Sequence, residues 1–108
     1  MKMIKAIVRP EKLHSLMYEL DQKGFSALTR ISVLGRGKQR GLKVGGAYYD
    51  ELPKDMLMMV VEDKDSDAVL EIIVKVCKSP SGGAYGDGKI FVSTIERAIT
   101  ISSGEERL

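Results

Sequence analysis

Tryptophan is absent from this sequence, and cysteine and histidine each occur once. A lone Cys77 can form neither an internal disulfide nor a Cys-rich zinc site, and it reads as core filler. His14 flanks an apolar stripe and reads as a surface residue rather than a ligand. No run reaches 18 apolar residues, which excludes a helical membrane span. An excess of one charge is missing too: 17 Lys and Arg face 15 Asp and Glu, and a net charge of +2 is too small to mark a nucleic-acid surface. Met1-Lys2-Met3-Ile4-Lys5 lacks the apolar core and small-residue cleavage site of a signal peptide, so a cytoplasmic protein is expected. What remains is a chain of 108 residues, 44% apolar and 30% charged, enough for one α/β or α+β domain.

Ile4 to Val8 is a short apolar run that reads as a strand buried on both faces. Pro10 suits a first helical turn, and Leu13, Leu16, Met17 and Leu20 then mark one helical face before Gly24 stops it. Ser26 to Leu34 returns to period two, a second strand. Gly35 to Pro53 holds five glycines and four basic residues without helical periodicity, and is expected to be a loop of about 18 residues. Met56 to Val61 reads as a strand apolar on both faces; its methionines alternate sides, which favours packing over a soft-metal site. Asp65, Ser66 and Asp67 offer N-cap chemistry for a helix carrying Val69, Ile72, Ile73 and Val76. Ser79 to Gly88 is a second Gly-rich loop, followed by a strand at Ile90-Phe91-Val92. Ser93 to Glu96 fits a capping box for a single helical turn, and Ala98 to Ile101 a last short strand.

The order β-α-β, long loop, β-α-β repeats itself at an offset of about 53 residues, with Val8 matching Val61, Leu16 matching Val69 and Leu20 matching Ile73. A split βαβ repeat with both helices on one face is a ferredoxin-like α+β sandwich. The third strand has no polar side, so the other face of the sheet needs a cover, and a second copy of the chain supplies it at least cost.

Two loops carry the chemistry. Gly83-Ala84-Tyr85-Gly86-Asp87-Gly88-Lys89 matches the first part of a P-loop, but Ile90 stands where Ser or Thr should be and a strand follows instead of a helix. As a Walker A it fails; a phosphate nest built from backbone N–H groups and Lys89 stays open beside a plain turn. Gly35-Arg36-Gly37-Lys38-Gln39-Arg40-Gly41 is either an anion-seeking strand end or a solvated basic turn. Across a subunit interface the two loops could bring Lys38, Lys54 and Lys89 together on phosphates or carboxylates, with no general base or nucleophile: binding rather than turnover. Tyr48-Tyr49 suggest either a partner contact or modification site or packing back onto the body.

Ile4-Lys5-Ala6-Ile7-Val8-Arg9-Pro10-Glu11-Lys12-Leu13, then Gly35 to Gly41, Leu52-Pro53-Lys54 and Gly86-Asp87-Gly88-Lys89-Ile90-Phe91-Val92-Ser93 resemble the PII nitrogen-regulatory signal proteins over nearly the whole chain. The resemblance implies a regulator rather than an enzyme: a homotrimeric, barrel-like assembly of ferredoxin-like subunits. Each would carry a T-loop at 36–53, a B-loop at 79–89 and a C-terminal segment at 99–108. Clefts between neighbours would bind ATP or ADP. Carried over by position, Thr29, Gly35, Arg36, Gly37, Lys38, Gln39 and Val60 would line the nucleotide site, and Gly86, Asp87, Gly88 and Lys89 would hold phosphates. Gln39 would ligate Mg²⁺, and 2-oxoglutarate would meet Gln39, Arg40, Gly41 and Lys54.

Three departures stand out. Lys38 replaces a usual arginine, Thr100 and Ser102 replace two phosphate-binding arginines, and the loop between Gly41 and Lys54 is shorter than typical by four residues. A shortened loop of this kind is similar to the subgroup encoded beside nitrogenase genes, whose members act as paired paralogues and inhibit nitrogenase when nitrogen is replete. The companion paralogue would then supply the missing arginines. Alternatives are regulation of an ammonium transporter or of glutamine synthetase, a ferredoxin-like nucleotide kinase and, more remotely, an ACT-like amino-acid sensor.

Overall fold

A computed structural model describes residues 1–36, 42–44, 47–49 and 51–108, with 42–44 and 47–49 described by backbone alone. The chain runs β1 (Lys2–Val8), α1 (Pro10–Gln22), β2 (Thr29–Gly35), β3 (Leu42–Val44), β4 (Ala47–Tyr49), β5 (Leu52–Val61), a 3₁₀ turn at Asp63–Asp65, α2 (Ser66–Cys77) and β6 (Gly88–Thr94). The main sheet has the order β2-β5-β1-β6, and every neighbouring pair is antiparallel. Each β-α-β half therefore spans a strand of the other half, the split βαβ topology of an α+β ferredoxin-like sandwich. Among the described residues no helix is long and apolar enough to cross a membrane.

Burial follows the pleat. Ile4, Ala6 and Val8 of β1 and Leu57, Met59 and Val61 of β5 face Leu13, Leu16 and Leu20 of α1 and Val69, Ile73 and Cys77 of α2. The repeat-matched pairs Val8 and Val61, Leu16 and Val69, Leu20 and Ile73 all lie in this core, so the internal repeat is a repeat of packing positions. Helix α1 starts on Pro10, where a missing N–H costs nothing. It ends in a Schellman arrangement: Gly24 at φ +86° donates to Asp21 O at 3.0 Å, and Phe25 N donates to Leu20 O at 2.9 Å.

Several sequence expectations are corrected. β1 is buried on its helix side only, since Lys5 on the other side is exposed. β5 begins at Leu52, not Met56, because the ladder with β2 continues from Thr29↔Met58 to Gly35↔Leu52 and backbone pairing carries the strand past its apolar stretch. The expected loop from Gly35 to Pro53 thus contains strand residues at both ends and the antiparallel pair β3-β4 between them. Asp65 makes no capping hydrogen bond; it is already near-helical at φ −97°, ψ −11°, whereas a side-chain cap needs an extended residue. No helical turn forms at Ser93–Glu96, because β6 stays paired with β1 as far as Lys2↔Thr94 and Ile95 N donates to Met1 O at 3.0 Å. Ala98 to Ile101 is not a strand: the segment closes on itself through a single bridge, Ile99↔Glu106, and Thr100 N to Glu105 O at 2.9 Å.

Candidate functional site

Val8, the last residue of β1, is paired with Asp55 on one side and Gly88 on the other. That register gathers the end of β1, the start of β5 and the Gly-rich loop before β6 into one corner of the sheet. Gly88 sits so close to β1 at φ +123° that an added Cβ would lie 1.9 Å from the Ile7 carbonyl oxygen. Only glycine allows this approach. Lys54 crosses the corner and donates from Nζ to Gly86 O at 2.7 Å. Gly35 joins from β2, where an added Cβ would stand 3.3 Å from Lys54 Cγ.

The Gly-rich loop is held from inside. Asp87 accepts from Ser79 N at 3.0 Å, from Ser79 Oγ and from Ala84 N at 2.9 Å. These bonds, the Ser79 hydroxyl foremost, hold the Asp87 carboxyl well below the usual carboxylate range, with Arg9 adding to the effect. Arg9 Nε lies 3.4 Å from Asp87 Oδ1, and its Nη2 donates to Tyr85 O at 2.9 Å. Burial, followed by the nearby Arg9 charge, draws the Lys54 ammonium below its ordinary pKa. Arg9, Lys54, Lys78 and Lys89 gather at the corner. Asp87 is satisfied within the loop, Asp55 is buried and accepts from Ser32, and Glu11 also acts on Lys54, so the surplus charge is positive and favours an anion over a cation. Beside it, Val8, Ile73, Cys77 and Ile90 wall a cavity of about 170 Å³ with Lys78 and Lys89 at its rim.

The sequence-derived site residues divide into three groups. Gly35, Lys54, Gly86, Asp87 and Gly88 meet in this corner, with Lys89 on the adjoining strand, all within one chain. Within one chain, β2 and β5 already carry the root of the long loop to the Gly-rich loop. Thr29 and Val60 are elsewhere. Thr29 opposes Met58, and Val60 lies six residues along β5 from Lys54, about 20 Å away at strand rise. Gly37, Lys38, Gln39, Arg40 and Gly41 lie outside the described residues, and Arg36 is exposed at the end of β2.

Thr100 and Ser102 also lie away from this corner. Their segment follows β6 at the Lys2 end of the sheet, where Arg97, Glu106 and Leu108 border a recess with Met1 and Glu62. Arg97 pairs with Glu106 and Arg107 with Glu105, so the segment neutralises its own cations. His14 is exposed, and Cys77 is buried, its thiol pushed up to about 11 by desolvation. Sequence reasoning missed Arg9 and Ser79. Both contact Asp87, but the Arg9 pairing spans 78 residues of sequence and leaves no local pattern.

The family model for nitrogen regulatory protein P-II matches residues 1–105. The chain is 53% identical over 112 residues to the nitrogen fixation nifHD2 region GlnB-like protein 1 of Methanosarcina barkeri, covering all of both chains. It is 50% identical over 110 residues, again covering all of both, to the nitrogen fixation nifHD region GlnB-like protein 1 of Methanothermobacter marburgensis. The nitrogen fixation nifHD region glnB-like protein 2 of Methanococcus maripaludis is 42% identical over 119 residues, covering 97% of this chain and 95% of its own.

Proposed function

The chain belongs to the nitrogen regulatory protein P-II family, and from that membership we propose that it senses ATP or ADP together with 2-oxoglutarate and regulates its target by direct contact. P-II proteins are regulators rather than enzymes, and the corner around Lys54 suits binding, since it offers cations and backbone donors. One observation carries the reading. The Lys54 ammonium spans from the root of the long loop to the Gly86 carbonyl, so anion-binding groups of both loops share one corner. Phosphates would lie on the Gly86 to Lys89 segment, where successive N–H groups and Lys89 complement them. The distal carboxylate of 2-oxoglutarate would take Lys54 as its partner. Mg²⁺ would neutralise the phosphate tail, with Gln39 as its protein ligand.

Thr29, opposite Met58, and Val60 lie four and six residues along β5 from Lys54, about 13 and 20 Å at strand rise, so such a cleft would take them from a neighbouring copy. This favours a trimer, either of identical chains or shared with a paralogue. The same reasoning sends Thr100 and Ser102 to a neighbour's cleft, where a paralogue bearing arginines would restore the lost charge. The relatives' nitrogen fixation region names support a target in nitrogen fixation, which we take to be nitrogenase, inhibited by this chain and relieved by ATP and 2-oxoglutarate.

Calorimetry tests the ligand reading. ATP should bind in the presence of Mg²⁺, and 2-oxoglutarate should bind only once Mg-ATP is present. Lys54→Ala should keep ATP binding and lose 2-oxoglutarate affinity by about 10-fold or more, the worth of a charge-assisted hydrogen bond. Unchanged 2-oxoglutarate affinity in that variant would remove Lys54 from the site. Absence of ATP binding by the wild-type chain, alone and with a paralogue, would overturn the reading as a whole.

A further inference from the structure

Residues Ala84 to Asp87 form a four-residue turn closed by Asp87 N to Ala84 O at 3.3 Å, with Gly86 at φ +92° in its third position. No non-glycine residue in the described chain has positive φ, so Tyr85 is right-handed or extended and the turn is type II. Types I and II differ by a flip of the central peptide, here Tyr85–Gly86. Glycine occupies either form at little cost, so the sequence alone does not choose. The choice decides where the Gly86 N–H points, because in a trans peptide it is directed opposite to the Tyr85 carbonyl. That carbonyl accepts from Arg9 Nη2 at 2.9 Å.

We infer that Arg9 is a positioning residue: by holding the Tyr85 carbonyl it aims the Gly86 N–H outward as a donor for the phosphate tail of a nucleotide. The inference rests on the proposed assignment of this loop to phosphates. Three features support it. Neither Tyr85 N nor Gly86 N donates to any acceptor among the described residues, so two successive N–H groups are left for a ligand. Arg9 is itself fixed, since it precedes Pro10 and sits extended at φ −65°, ψ 136° on the end of β1. Its guanidinium serves two acceptors at once, Tyr85 O from Nη2 and Asp87 Oδ1 from Nε, in a rigid planar fork that a lysine ammonium lacks. Lys54 fixes the next peptide through Gly86 O, but a bound dicarboxylate would engage that ammonium. Arg9 restrains the preceding peptide through Tyr85 O while bonded to Asp87 within the same loop.

The test compares wild type, Arg9→Met and Arg9→Lys by calorimetry with Mg-ATP and by NMR titration with adenosine, which lacks phosphates. Arg9→Met should lose roughly 10- to 100-fold in ATP affinity, the worth of one hydrogen bond to a charged group, with adenosine affinity unchanged. Arg9→Lys keeps the charge and the fold, and should lose ATP affinity to a smaller extent with a displaced Gly86 amide resonance. Equal ATP affinity in Arg9→Met and wild type overturns the inference. So does a parallel loss of ATP and adenosine, which is the mark of general structural damage. If Arg9→Met does not fold, an unshifted Gly86 amide and unchanged ATP affinity in Arg9→Lys overturn it instead. A wild-type chain that binds no ATP fails the functional reading first and takes this inference with it.

Discussion

At Gly88 a hydrogen is the only side chain that fits. A methyl placed 1.9 Å from the Ile7 carbonyl oxygen, on a backbone at φ +123°, forces β1 and β6 apart at the pair next to the loop. Gly88→Ala is expected to destabilise the fold by about 3 kcal/mol or more, read by urea unfolding. Asp87 gives a pH signature. Its carboxyl is held below the ordinary range by Ser79, Ala84 and Arg9, so its contribution is full above about pH 4 and is lost as pH falls toward the depressed value. Asp87→Asn should be less stable than wild type at pH 7 and lose less stability between about pH 5 and pH 2. Urea midpoints across that range check both signs. The glycines and Asp87 were legible as a motif. Arg9, which adds to the hold on Asp87, was not, because a contact spanning 78 residues has no local trace; Ser79, eight residues away, matched no motif.

At the level of elements, the two helices were readable from their apolar spacing, and both start within a residue or two of where the pattern places them. Strand ends were less readable. Hydrophobic pattern stops at Met56, yet β5 continues back to Leu52, since the ladder with β2 satisfies backbone groups whatever the side chains are. This unread part of β5 carries Lys54, so the candidate site lay just outside the legible strand. Capping signals failed for the same reason at Ser93, whose backbone the sheet had already claimed. Where the core decides, the expectation is simple: Ile73, 1% exposed under the sheet, should cost about 2–5 kcal/mol on replacement by alanine, measured by chemical denaturation.

For the whole molecule, the sheet face away from the helices is the surface that bears on assembly. Thr29, Ile31 and Val33 of β2, Met56, Met58 and Val60 of β5, and Phe91 of β6 share that side by register, and Ile31 and Phe91 remain 41% and 52% exposed. The sequence forecast this face from a strand with no polar side, though not which copy, or paralogue, would meet it. Met58→Asp places a charge in its middle and should reduce the native mass to that of one chain, with the circular dichroism spectrum retained. Light scattering coupled to gel filtration reads the outcome, and an unchanged mass would place the contact elsewhere.

β1 pairs along all seven of its residues with strands on both sides, and its final pairings, Val8 with Asp55 and with Gly88, fix the spacing of the corner. A slip of one residue on either side would move Lys54 about 3.3 Å from Gly86, farther than a hydrogen bond tolerates, and would invert which side chains face the core. Under the proposed function, ligand response would double as proofreading of the threading: a misaligned chain would be deaf to the metabolite as well as unstable, and would fall silent rather than send a false signal.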